Sequence, residues 1–285
     1  MVSPRQRRDA VAWAQTAYQL TVRRACLALG VHRSLIRYRS RKRPDTALRA
    51  RLRELATTRL SFGARRLHLL LRREGVVVNH KRVHRLYVEE GLQLTPRRRP
   101  RRRAHTTRRP PIIVSRPGER WAMDFMHDTL ADGRTIRVFT LVDVYSRECV
   151  ALAAAARFTG TDVAELLRQA AARTGGLPAI VQCDNGTEFT SVALDHWAYW
   201  NQVQLDFSRP GKPVDNCVCE AFNGSLRREC LSQHWFTDLT EAQQVLDQWR
   251  DDYNNLRPHT SLGGQPPASH SRGGHYLPRA IAGRI

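Results

Sequence analysis

Apolar residues recur every three to four positions through the first third of the chain and alternate with polar ones after residue 119. Val11, Ala14, Tyr18, Val22, Cys26 and Leu29 predict one helix over 9–29, ended by Gly30. Residues 31–38 read as a turn and a short helix, and a basic run, Arg37 to Arg43, follows before Pro44 breaks the chain. Asp45 and Thr46 start a helix over 46–58. After the turn Ser61-Phe62-Gly63, Leu67, Leu70 and Leu71 mark a helix over 64–74 that Gly75 stops. Asn79 suits the N-cap of a helix over 80–90, with Gly91 closing it. Helix, glycine-containing turn, helix is the helix-turn-helix pattern, and Lys81, Arg82 and Arg85 stand near the start of its last helix, where side chains meet base edges.

Strands follow. Residues 121–127, 135–144 and 149–154 carry alternating or apolar patterns joined by tight turns such as Asp132-Gly133, which predicts an antiparallel meander. A helix over 161–173 capped by Thr161, a strand over 179–183, a helix over 191–200, a strand over 203–207 and helices over 216–230 and 240–255 complete the pattern. Three antiparallel strands and then helices alternating with two short strands is the order of an RNase H-like α/β core, a mixed five-stranded sheet with flanking helices. The expected organisation is a basic helical segment (1–44), a helix-turn-helix domain (45–95), an Arg/Pro-rich linker (96–116), the α/β core with its C-terminal helices (117–275) and a tail (276–285).

Composition narrows the partner. The chain of 285 residues carries 47 Lys+Arg against 26 Asp+Glu, a formal net charge of +21, with Arg far ahead of Lys. Guanidinium forks pair with phosphate oxygens, so DNA is the expected partner. The linker adds eight arginines between Arg97 and Arg109, and Arg101, Arg102 and Arg103 are expected to touch the DNA backbone. No apolar run is long enough to cross a membrane and no secretory h-region follows the basic start, so a cytoplasmic, nucleoid-associated protein is expected. The six cysteines lack a CxxC spacing and read as reduced thiols; His80 and His84 lack a cysteine pair and read as surface helix residues.

Against this basic background three acids stand in settings that suit a metal. Asp124 lies mid-strand between Ala122 and Met126 on one face, where a bare carboxylate is costly unless paired or metal-bound. Asp184 ends an apolar strand and precedes Asn185-Gly186, the place where α/β sheets put ligand groups. Glu220 lies in the first turns of a helix that Asp215 or Asn216 is placed to cap, with Asn223 and Arg227 on its face. Metal held by such carboxylates beside phosphate points to phosphodiester chemistry, and Mg²⁺ fits oxygen ligands best. Asp128, Asp132, Asp162, Glu165 and Asp195 read as solvated charges; Asp143 and Glu188, nearer the site, read as turn or supporting residues.

At these residues the chain resembles a known family. Trp121-Ala122-Met123-Asp124-Phe125, Cys183-Asp184-Asn185-Gly186-Thr187-Glu188-Phe189 and Arg209 to Arg227 resemble the three catalytic blocks of insertion-sequence transposases. Tyr253-Asn254-Asn255-Leu256-Arg257-Pro258-His259 resembles the family's terminal signature, and residues 61–66 and 79–83 its helix-turn-helix. The chain is similar to the OrfB-type transposases of the IS-three family, in the DDE transposase and retroviral integrase superfamily. The resemblance implies an integrase-type RNase H-like core and Asp124, Asp184 and Glu220 as ligands of two Mg²⁺ ions, with Mn²⁺ able to substitute. It implies strand cleavage followed by strand transfer at the element's ends. Arg227 occupies the place of a DNA-contacting residue, with Lys212 and Arg228 as further basic candidates and Asn185 and Asn223 as supports of the ligands. A homo-oligomer that holds two DNA ends is expected, and an upstream reading frame is a possible partner. Two other readings stay open: a DNA-binding regulatory partner that acts only as a fusion with that frame, and an RNase H-like nuclease.

Overall fold

The computed structural model describes residues 3–38, 45–94, 114–209 and 216–271. Two compact units emerge, Met1–Arg49 and Ala50–Ile285.

In the first unit, α1 (Pro4–Tyr18), α2 (Val22–Ala28) and α3 (Arg33–Arg37) close a small core of Val11, Ala14, Ala25, Cys26 and Val31. The single helix expected over 9–29 is therefore two. Gln19 turns left-handed at φ 52°, and the Thr21 side chain accepts the Arg24 N–H, so a cap starts a new helix where periodicity alone saw continuity.

The larger unit takes α4 (Thr46–Thr58) from Ala50 onward, then α5 (Ala64–Arg73) and α6 (His80–Glu89). Leu52, Leu67, Leu71, Val83 and Leu86 are fully buried among them. Asn79 caps α6 through Lys81 N–H, and Gly91 sits at φ 69°, a conformation that costs glycine little.

Five strands then form one sheet in the order β3-β2-β1-β4-β5. Strand β1 (Arg120–Thr129) pairs antiparallel with β2 (Thr135–Asp143), which pairs antiparallel with β3 (Cys149–Ala155). On its other side β1 pairs parallel with β4 (Ile180–Cys183), and β4 parallel with β5 (Gln204–Phe207). Alternation along β1 separates two cores. Trp121 and Met123 join Phe139, Leu141, Val181 and Phe189 under α7 (Gly160–Thr174) and α8 (Val192–Trp200). Met126 joins Val138, Phe222, Leu226 and Tyr253 under α9 (Cys217–Glu229) and α10 (Leu239–Asn255). Helix α7 is capped by Thr159 in a capping box with Asp162, not by Thr161, because Asp162 returns a bond to the Thr159 N–H.

The free edge of β3 is covered by amide side chains. Asn254 accepts from Cys149 N–H and donates to the Cys149 carbonyl; Gln243 accepts from Ala154 N–H and donates to the Leu152 carbonyl. After a turn around the Arg257-Pro258-His259 segment, α11 (Pro267–Ser271) ends the described fold.

Candidate active site

Asp124 belongs to the face of β1 that α9 covers, together with Ala122 and Met126. Burial there is why it needs partners. Its Oδ1 accepts the Phe125 N–H at 2.8 Å, and its Oδ2 accepts the Asn223 side-chain amide at 2.9 Å. Asn223 reaches it because Phe222 and Leu226 anchor α9 on the sheet and turn Asn223 toward β1. The second amide atom, Asn223 Oδ1, is buried without a hydrogen-bond partner among the described residues.

The parallel ladder brings Asp184 to the same place. Trp121 pairs with Val181 and Ala122 with Gln182; two residues further along both strands lie Asp124 and Asp184. Asp184 Oδ1 accepts the Gly186 N–H at 2.9 Å. A Cβ at Gly186 would stand 3.0 Å from Asp184 Oδ1, close enough that this carboxylate would have to shift. Glu220, in the first turn of α9, lies three residues before Asn223 and is exposed.

Electrostatics ties the three together. Burial first, and then the negative charges of Asp184 and Glu220, raise Asp124 to about 6, against the Phe125 and Asn223 hydrogen bonds. Among the described residues none of the three carboxylates has an ion-pair partner, whereas Asp128, Glu188, Asp206, Glu229 and Asp252 are all held by arginines. The acids are neighbours without being closed into a cage: no group of three His, Cys, Asp or Glu side chains among the described residues is already set to hold a metal ion. Their chemistry fits a hard divalent cation nonetheless. All donors are oxygen, the charges are uncompensated, and an unpartnered amide oxygen lies beside them.

The other sequence candidates are placed as follows. Asn185 donates to the Ser208 carbonyl at 2.8 Å and ties the Asp184 loop to the end of β5. Arg227 holds Asp128 at 3.1 Å and also bonds the His127 carbonyl, so Asp128 is not the solvated charge its sequence suggested. Asp132 and Glu165 also pair locally, with Arg134 and Arg168, and Asp162 sits in the α7 cap. Arg228 is exposed in the last turn of α9, and Lys81, Arg82 and Arg85 are exposed on α6. Asn216 stands at the N-cap of α9 without a side-chain capping bond. Arg101, Arg102, Arg103, Lys212 and Asp215 lie outside the described residues.

Sequence reasoning missed two arginines. Arg137 bonds Glu188 and lies over the Phe125 ring at 4.1 Å, bracing the strand next to Asp124; a lone arginine in the apolar run of β2 was the available signal. Arg257 lies buried against Glu229 of α9 at 2.6 Å, and nothing local announces that pairing.

The integrase core domain family matches residues 114–213 and again, in a second description of that core, residues 201–267; an HTH-like domain matches 43–100. An insertion element IS407 protein of Burkholderia multivorans is 44% identical over 252 residues, spanning 87% of this chain and 90% of its own. The chain belongs to the insertion-element transposases with an integrase core. An insertion element IS476 protein of Xanthomonas euvesicatoria is 42% identical to the transposase, over 94% of this chain and 77% of its own. The transposase for insertion sequence element IS904 of Lactococcus lactis is 28% identical, over 72% of this chain and 85% of its own. Among solved structures, the HTLV-2 integrase catalytic core domain in complex with magnesium is 16% identical, with a TM-score of 0.45 over 56% of this chain and 99% of that one.

Among the described residues of the transposase, no helix is long and apolar enough to cross a membrane. The family makes it a polynucleotidyl transferase that works on DNA.

Proposed function

We propose that the transposase cuts DNA at the ends of its element and joins the freed 3′ ends to target DNA, with Asp124, Asp184 and Glu220 holding two Mg²⁺ ions. Mn²⁺ would serve in their place. The observation that carries this reading is the unpaired carboxylate set in a protein of formal charge +21. Repulsion among three acids destabilises the metal-free site, and abundant arginines leave it uncompensated; a bound cation removes the cost. When bound, the metals activate the attacking oxygen and stabilise the leaving one.

The chain's own residues do the rest. Asn223 fixes the rotamer of Asp124 through one oxygen. The Gly186 N–H fixes Asp184. Asn185 anchors the loop between them and β5. Strand, loop and helix thus converge on the central strand β1 just past the end of β4, where phosphate can approach from solvent because Asp184 and Glu220 are exposed. Helix α6 presents Lys81, Arg82 and Arg85 for recognition of the element's ends, and synapsis of two ends calls for more than one copy of the chain. The test is Asp184→Asn, assayed for cleavage of end-containing DNA in Mg²⁺ and for binding of the same DNA. Cleavage should vanish with binding retained; near-normal cleavage would remove Asp184 from the site.

A further inference from the structure

On the side of α9 away from Glu220 lies a second feature. A cavity of about 410 Å³ opens between α5 of the helix-turn-helix, α9 and the Tyr253–Ser261 segment. Three arginines line it, Arg66, Arg147 and Arg257. Among the described residues one carboxylate answers them: Glu229 bonds Arg257 at 2.6 and 2.7 Å and Arg66 at 3.1 Å. Arg147 makes no side-chain hydrogen bond or ion pair among the described residues, although its own backbone is held by Asp143. It does so at φ 65°, left-handed for a residue with a Cβ. Glycine or asparagine would hold that turn more cheaply, so the guanidinium is kept there at a backbone cost.

The field of the cavity is felt inside it. His259 is held neutral, lowered to about 3 by burial and then by Arg257, Arg66 and Arg147. Its Nε2 lies 3.1 Å from Arg257, which fits a neutral ring accepting that bond. At the mouth Thr260 and Ser261 are exposed, with hydroxyls bonded to no described residue. Two guanidinium groups oriented by one carboxylate, Arg257 buried and Arg66 half-buried, a third with no partner among the described residues and two free hydroxyls are the donor set of a tetrahedral oxyanion.

We propose that this cavity is an anion site that seats a backbone phosphate of bound DNA, between the helix-turn-helix and the helix that carries Glu220. The inference rests on the DNA-binding reading above and adds where the backbone is gripped. A phosphate held there would touch α5, the β2–β3 turn and the Arg257 segment at once, setting the recognition helices in register with the chemistry.

The experiment uses the full chain and the variants Arg147→Asn, which tolerates the left-handed turn, and Arg147→Lys, which keeps the charge. Duplex binding is measured across salt concentrations. Arg147→Asn should bind roughly five- to tenfold more weakly at 0.1 M salt and show a log–log salt slope shallower by about one, the signature of one lost phosphate contact; Arg147→Lys should restore most of the slope. In a second arm, inorganic phosphate replaces chloride at equal ionic strength, and the melting temperature of wild type should rise more than that of Arg147→Asn. A wild-type slope and affinity in Arg147→Asn overturns the proposal. If only the phosphate arm responds, the cavity takes free anions and the DNA seat is overturned. A wild-type protein that binds no DNA while still answering phosphate would overturn the functional reading and this seat with it.

Discussion

Helix α9 carries two glutamates treated in opposite ways. Glu220, in its first turn, is exposed and has no cationic partner among the described residues. Glu229, in its last turn, has a side chain only 6% exposed and is gripped by Arg257, itself 4% exposed, and by Arg66. The first sits where the helix dipole favours negative charge, the second where it does not, so only the second needs arginines to stay. One end of the helix is left unneutralised, as the proposed metal site requires; the other is neutralised and fixes the helix on α5 and the Arg257 segment. The difference separates chemistry from architecture along thirteen residues.

Substituting the two glutamates should therefore give opposite phenotypes. Glu220→Gln should lower strand cleavage by about a thousandfold or more, the loss of several kcal/mol of metal-assisted stabilisation. Its melting temperature should stay level or rise, since one of three mutually repelling carboxylates is gone. Cleavage within tenfold of wild type would erase the distinction. Glu229→Gln should instead cost about 3–5 kcal/mol in stability by stranding two guanidinium groups, read as a shifted denaturant midpoint. A joint Glu229→Leu and Arg257→Met change should be milder than Glu229→Gln alone. Next in size, Arg82→Ala should reduce the preference for element ends over scrambled DNA by roughly 1–3 kcal/mol, leaving metal-dependent nicking of nonspecific DNA in place. Competition binding run beside a nicking assay checks both halves; lost nicking with retained preference would reverse the assigned roles.

The smallest effect is a pH dependence. His259 is depressed to about 3, so the unfolded chain binds its proton first as pH falls. Stability from this residue is complete above its unfolded value near 6.5 and is lost progressively between there and about 3. At pH 5.5 the loss is about 1 kcal/mol. Melting temperatures at pH 7.5 and 5.5 should converge less in wild type than in His259→Gln; equal shifts would mean that other groups set the acid limb.

Much of this was readable beforehand because it is local. The helix over 46–58, the Asn79 cap and the β1 alternation follow from neighbours in sequence, and the structure places them there. The three acids stood out because each has a local setting that a solvated charge does not need. Partners distant along the chain were invisible. Arg66 finds Glu229 across 163 residues, and no pattern around Arg66 records it. The left-handed turn at Arg147 was hidden as well, since arginine is not a residue one expects there. The false continuity of α1 and α2 has a plain cause: Thr21 caps by a side-chain bond that hydrophobic period does not register.

The amide seal on β3 has a consequence for assembly. With Asn254 and Gln243 occupying backbone groups of Cys149, Leu152 and Ala154, that border of the sheet offers no ready template for another chain's strand. Copies gathered on DNA cannot join there into a continuous β-ribbon, nor grow into fibres from that side. Whatever holds two transposases together must use something other than this border: the opposite edge at β5, helices, loops or the DNA itself.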